Sequence, residues 1–170
     1  MGLTYEEHLM IKNLGFAVAA MAATLAATPA LAQDGQVRIG AELGIVDDDF
    51  LGTDDVSFGV NAGYDFDLGD MVVGPLATYT ATFADDSDLR EISIGGRVGR
   101  KFDGDKQFYG TVSYSNIDAD YFPGSLDGIK FGIGFEKDFG GFYGNVETRY
   151  GNYEAGAELF QTVIGGGFKF

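Results

Sequence analysis

The sequence predicts an all-β fold, a transmembrane antiparallel up-and-down β-barrel of eight strands. Three observations lead there. Residues 33–170 contain eight segments in which apolar side chains alternate with small or polar ones, the period of a strand with two unlike faces. Glycine is abundant and proline scarce, 27 against 3, and the aromatic residues are 15 Phe and 9 Tyr with no Trp. An export signal precedes the alternating segments.

That signal is the first element. Residues 14–27 (LGFAVAAMAATLAA) carry no charge, follow Lys12 and Asn13, and lead into Thr28-Pro29-Ala30-Leu31-Ala32. A basic start, an apolar core and small residues at positions −3 and −1 are the layout of a secretory signal peptide. The apolar run falls short of the about 20 residues that a membrane helix needs. Residues 1–32 are therefore expected to be cleaved, with Ala30 and Ala32 at the site and Gln33 as the new N-terminus. Glu6 and Glu7 do not suit a basic start, whereas a chain beginning at Met10 reads MIKNLGFAVAA; the expected true start is Met10.

Strands are predicted at 36–46, 56–66, 71–83, 89–102, 107–117, 128–138, 142–153 and 158–170. In the first, Val37, Ile39, Ala41, Leu43 and Ile45 oppose Arg38, Gly40, Glu42 and Gly44. In the sixth, Ile129, Phe131, Ile133 and Phe135 oppose Lys130, Gly132, Gly134 and Glu136. Pro75 interrupts the third strand, removes one ladder donor and predicts a bulge. Short turns (67–70, 103–106 and 139–141) alternate with mostly longer, acidic links (47–55, 84–88, 118–127 and 154–157). That asymmetry places the short turns on the periplasmic side of an outer-membrane barrel.

Alternation alone leaves two barrels open. A soluble barrel turns its apolar face inward around a ligand, and a membrane barrel turns it outward. Export without cysteine, strands long enough for a tilted crossing, and aromatic residues near the strand ends favour the membrane form. The expected girdle is Phe66, Phe102, Phe108, Phe142 and Phe168 at one end, with Phe58, Phe83, Tyr114, Tyr150 and Tyr153 at the other.

Composition excludes several functions. With 11 Lys and Arg against 26 Asp and Glu, a net charge of −15, the chain is no nucleic-acid binder. Absent cysteine removes disulfides, thiol nucleophiles and thiolate metal sites. The single histidine, His8, precedes the cleavage site, so the exported chain lacks a Ser-His-Asp triad or a His-metal centre. No cofactor is expected.

The signal peptide, the eight strands, the acidic loops and the ending Ile164-Gly165-Gly166-Gly167-Phe168-Lys169-Phe170 resemble small outer-membrane β-barrels of the OmpA-transmembrane, OmpX and opacity-protein type. The resemblance implies a bacterial outer-membrane location among lipid and lipopolysaccharide. It also implies that Phe168 and Phe170 are read by the barrel-assembly machinery during biogenesis. Since the chain ends at Phe170, no peptidoglycan-binding domain is expected to follow. Some eight-stranded outer-membrane barrels are lipid A acyltransferases or deacylases, and those families use a catalytic histidine, which the exported chain lacks; the resemblance therefore implies a non-enzymatic protein. The function expected is an envelope structural or adhesion-type surface protein whose acidic loops meet a surface ligand or host factor; the alternative is a small passive or gated pore.

On the polar face, Glu42, Arg97, Glu147 and Arg149 are expected at one height as a lumen charge network. Arg38, Asp65, Lys101, Glu136 and Lys169 should lie lower, and Glu91 and Lys130 higher. Enclosed opposite charges should pair, because an unpaired one is costly. The network is read either as an electrostatic plug that closes the barrel and fixes its register or as a gate or selectivity ring in a small pore. The lumen glycines are expected to leave room for water. Asp47-Asp48-Asp49, Asp54-Asp55 and Asp85-Asp86 form either a solvated acidic rim or a bridge through divalent ions to lipopolysaccharide phosphates.

Overall fold

The computed structural model describes residues 35–48, 53–82, 89–119 and 124–170. The signal peptide with Ala30, Ala32 and Gln33 lies outside these residues, as do Phe83, Asp49 and the Asp85-Asp86 pair. The described chain forms eight strands: β1 (Gly35–Asp48), β2 (Thr53–Asp67), β3 (Met71–Thr82), β4 (Leu89–Phe102), β5 (Lys106–Ala119), β6 (Ser125–Asp138), β7 (Phe142–Tyr153) and β8 (Glu158–Lys169). Each pairs antiparallel with the next, and β1 pairs with β8 to close the barrel. Reciprocal backbone hydrogen bonds between Val37 and Phe170, at 3.0 and 2.9 Å, fasten the two ends of the described chain.

The strands match the expected ones within a few residues, and β1, β2, β5 and β6 reach further toward the long-loop end. There the ladder continues through Asp47 opposite Asp54 and Asp118 opposite Ser125. Backbone pairing, once nucleated by the apolar segments, carries on through polar residues whose side chains have no strand pattern to read. At the other end the turns are set by local chemistry. The Asp67 carboxylate accepts from the Gly69 amide at 3.0 Å, and Asp138 accepts from Gly140 at 2.7 Å. In both turns the glycine adopts a positive φ (84° and 85°), which an Asp-x-Gly sequence supplies at little steric cost.

The bulge expected at Pro75 is absent. The β2–β3 register is the same on both sides of the proline, with Gly63 opposite Leu76 and Phe66 opposite Val73. Only the pairing of Tyr64 and Asp65 with Pro75 and Gly74 is missing, because Pro75 has no N–H to give. The strand tolerates an interrupted ladder without an inserted residue.

The apolar face points outward. Ile39, Leu43, Ile94, Ile133 and Ile164 are more than half exposed, Ile133 at 75%, while Arg38, Glu42, Glu136 and Arg149 on the other face are buried. A water-soluble protein buries its isoleucines and exposes its arginines; here the order is reversed, as in a barrel solvated by hydrocarbon. A small apolar cluster does lie inside, at the long-loop end: Val46, Leu89, Ile117, Tyr153 and Leu159.

Candidate functional site: the charged barrel interior

Among the described residues, five cations (Arg38, Arg97, Lys130, Arg149 and Lys169) and five carboxylates (Glu42, Asp65, Glu91, Glu136 and Glu147) are enclosed in the barrel, balancing in charge. All reach the lumen by strand parity. They sort into three groups.

The group nearest the short turns centres on Glu136, which is fully buried. Its carboxylate meets Arg38 at 2.7 Å, Arg97 at 3.2 Å and Lys169 at 2.7 Å, and accepts from Gln107 Nε2 at 2.5 Å. Asp65 gives Arg38 and Arg97 a second carboxylate at 3.3 and 3.4 Å, and Asp138 does so for Lys169 at 3.2 Å. Two tyrosines floor the group: the Arg38 guanidinium lies 4.4 Å from the Tyr143 ring centroid, and that of Arg97 lies 4.2 Å from Tyr109. Cation–π contact of this kind supports the charges where hydrogen bonds run short. A mouth of about 200 Å³, lined by residues including Asp65, Gln107, Glu136 and Lys169, opens on this group.

The second group is built on Arg149. Its guanidinium holds Glu42 with two bonds, at 2.5 and 2.9 Å, and Glu147 at 3.0 Å. Glu147 also accepts from the Tyr109 hydroxyl at 3.1 Å and Thr111 Oγ1 at 2.9 Å. Arg38 and Arg97 share a void of about 10 Å³ with Glu42, Glu147 and Arg149, so the first two groups are neighbours. In the third group Lys130 meets Glu91 at 2.6 Å. Glu91 also accepts from Ser115 and, at 2.5 Å, from the Tyr153 hydroxyl. A second void of about 10 Å³ joins Lys130 to Glu147 and Arg149. Tyr153 belongs to both this group and the apolar cluster, which therefore caps the stack at the long-loop end.

The arrangement changes three sequence expectations. Glu42, Glu147 and Arg149 come together, but Arg97 does not join them; it binds Asp65 and Glu136 instead. Counting along strands cannot place a side chain against its neighbours, because tilt and stagger displace paired strands along the barrel axis. Tyr153, expected in the outer girdle, is in the lumen and 4% exposed. The lumen glycines do not simply leave room for water; they lie beneath side chains. An added Cβ at Gly40 would stand 2.3 Å from the Tyr143 hydroxyl, and one at Gly134 2.4 Å from Tyr109 Cζ.

The lumen roles of Tyr109, Tyr143 and Tyr153 and the hub role of Glu136 were missed. Parity was the available signal for the tyrosines: Tyr143 and Tyr153 fall in step with Glu147 and Arg149, and Tyr109 with Gln107 and Thr111. Phe168 and Phe170 lie on the outer face at the short-turn end, 58% and 70% exposed, with the Phe168 ring 5.7 Å from Phe142.

A closed eight-stranded barrel with an apolar exterior and a charged interior is an integral outer-membrane β-barrel. The chain belongs to the outer membrane protein β-barrel domain family, whose pattern it matches over residues 16–170. That family places it in the bacterial outer membrane. A search of curated protein sequences gives no match. Several solved barrels share the fold. Ail, the attachment invasion locus protein of Yersinia pestis, solved with the heparin analogue sucrose octasulfate, superposes with a TM-score of 0.59 at 15% identity, covering 81% of this chain and 100% of Ail. Neisserial surface protein A gives 0.58 at 15% identity, covering 80% and 97%. The N-terminal β-barrel domain of Pseudomonas aeruginosa OprF gives 0.61 at 14%, covering 81% and 100%.

Proposed function

We propose that the protein is a non-enzymatic surface protein of the bacterial outer membrane, exported by cleavage after Ala32. In this reading the barrel is a rigid support for acidic loops and its lumen is plugged by paired charges. The observation that carries the proposal is the filled interior. Ten charged side chains neutralise one another, and the two voids described between their groups, about 10 Å³ apiece, have room for about one water molecule each.

The strand ends and links at the long-loop end contain Asp47, Asp48, Asp49, Asp54, Asp55, Asp85, Asp86 and Asp88 and no lysine or arginine between residues 47 and 55 or 83 and 88. Such loops favour a basic partner or one bridged by divalent ions, such as lipopolysaccharide phosphate, and disfavour a sulfated sugar of the kind bound to Ail. Loops held on a rigid scaffold carry specificity without altering the scaffold. Phe168 and Phe170 serve the assembly machinery.

A second reading, a small pore, draws on the mouth of about 200 Å³ at the short-turn end, which would be its entrance. Planar-bilayer recording separates the two. The plugged barrel gives rare or no conductance, and Arg97→Ala raises it by removing the side chain between Asp65 and Glu136. Steady, large wild-type conductance that keeps its size and changes ion preference in Arg97→Ala would establish the pore instead.

A further inference from the structure

The outer face carries an exposed cation near its short-turn end. Arg100 on β4 is exposed, on the face opposite the lumen, two residues before the strand ends at Phe102. Among the described residues its guanidinium makes no ion pair, whereas the nearby Lys106 and Lys137 are held by Asp103 and Asp105 at 3.0 and 3.7 Å. The register sets Arg100 directly between Met71 and Phe108, and Phe108 stacks edge-on against Phe135 at 5.5 Å. A lone charge among apolar neighbours at a membrane face is costly until it meets a counter-charge.

The next cross-strand row toward the barrel middle is Val98, Gly110 and Ile133. Gly110 makes a notch in it: a Cβ added there would meet nothing nearer than 3.7 Å. The two rows together line an apolar trough of about 590 Å³ on the outer surface, with Arg100 among its walls. The polar element is nearer the strand end and the notch nearer the middle of the barrel. A lipid has the same polarity, headgroup outward and chain inward.

We infer that this trough seats one anionic glycerophospholipid from the leaflet at the short-turn end. An acyl chain lies over Gly110 between Val98 and Ile133, and the headgroup phosphate meets Arg100. A planar guanidinium suits a phosphate because it offers two parallel N–H donors. A zwitterionic headgroup fits less well, since its ammonium would bring a further cation beside Arg100.

The chain contains no tryptophan, so a single Trp reports on its own surroundings. Phe108→Trp places the reporter at the trough, and Phe168→Trp places one at the same end of the barrel on β8. Each is folded into vesicles of phosphatidylglycerol and phosphatidylcholine, with brominated chains on one lipid at a time as quencher. Retained heat-dependent gel mobility checks that each variant is folded. Brominated phosphatidylglycerol should associate with the Phe108→Trp site about fivefold more strongly than brominated phosphatidylcholine, the scale of one basic side chain at an anionic surface. Arg100→Gln should remove that preference, Arg100→Lys should keep part of it, and Phe168→Trp should show none. Equal quenching by both lipids at Phe108→Trp, or a preference that survives Arg100→Gln, overturns the inference. So does preferential displacement of the quencher by lipid A, which would assign the trough to the opposite leaflet.

Discussion

Replacing Glu136 by glutamine tests whether the interior is held by charge or merely filled. The substitution keeps the volume and removes one negative charge from the contacts with Arg38, Arg97 and Lys169, at 2.7, 3.2 and 2.7 Å. Breaking a buried ion pair commonly costs about 3–5 kcal/mol. Here each cation retains a second carboxylate, Asp65 for the two arginines and Asp138 for Lys169, so the expected loss is at the lower end, about 3 kcal/mol. The assay is equilibrium urea unfolding of the detergent-folded barrel, followed by tyrosine fluorescence and gel mobility. Asp103→Asn is the reference, since the Lys106–Asp103 pair lies at an exposed turn where water screens the two charges. Adding Arg97→Met to Glu136→Gln should restore part of the loss by removing an under-compensated cation. A Glu136→Gln cost no larger than that of Asp103→Asn, or strict additivity with Arg97→Met, would refute the argument.

Two further outcomes follow from the geometry. Because the Phe168 and Phe170 side chains are exposed while the Phe170 backbone closes the barrel, the double change of both to Ser should leave detergent refolding nearly intact and sharply lower barrel yield in cells; equal loss in both settings would reduce these residues to packing. Gly134→Ala drives a Cβ against the Tyr109 ring and the Val146 carbonyl and should cost about 1–3 kcal/mol in urea unfolding, whereas Gly144→Ala on the outer face, with no contact nearer than 3.7 Å, should cost almost nothing.

The strands and their faces are legible in the amino-acid order alone. Period-two alternation in segments such as 128–138 reads directly as two surfaces, and the aromatic and isoleucine content of one, set against glycine and both charge signs on the other, decides which faces lipid. Tight turns were legible because Asp-x-Gly carries its own geometry. Loop ends were less so, since ladders propagate through residues such as Asp47 and Asp54 by backbone bonds that no side-chain pattern announces. Which charge meets which is settled by the closed barrel. Arg149 and Glu42 stand 107 positions apart, and Arg38 and Glu136 stand 98 apart. Neither pair lies on adjacent strands that a register could align: Arg149 reaches across from β7 to β1 and Arg38 from β1 to β6. Their partners depend on strand stagger and on how far each long side chain leans across the lumen. Those quantities come into being when β8 closes on β1, and a one-dimensional pattern contains neither.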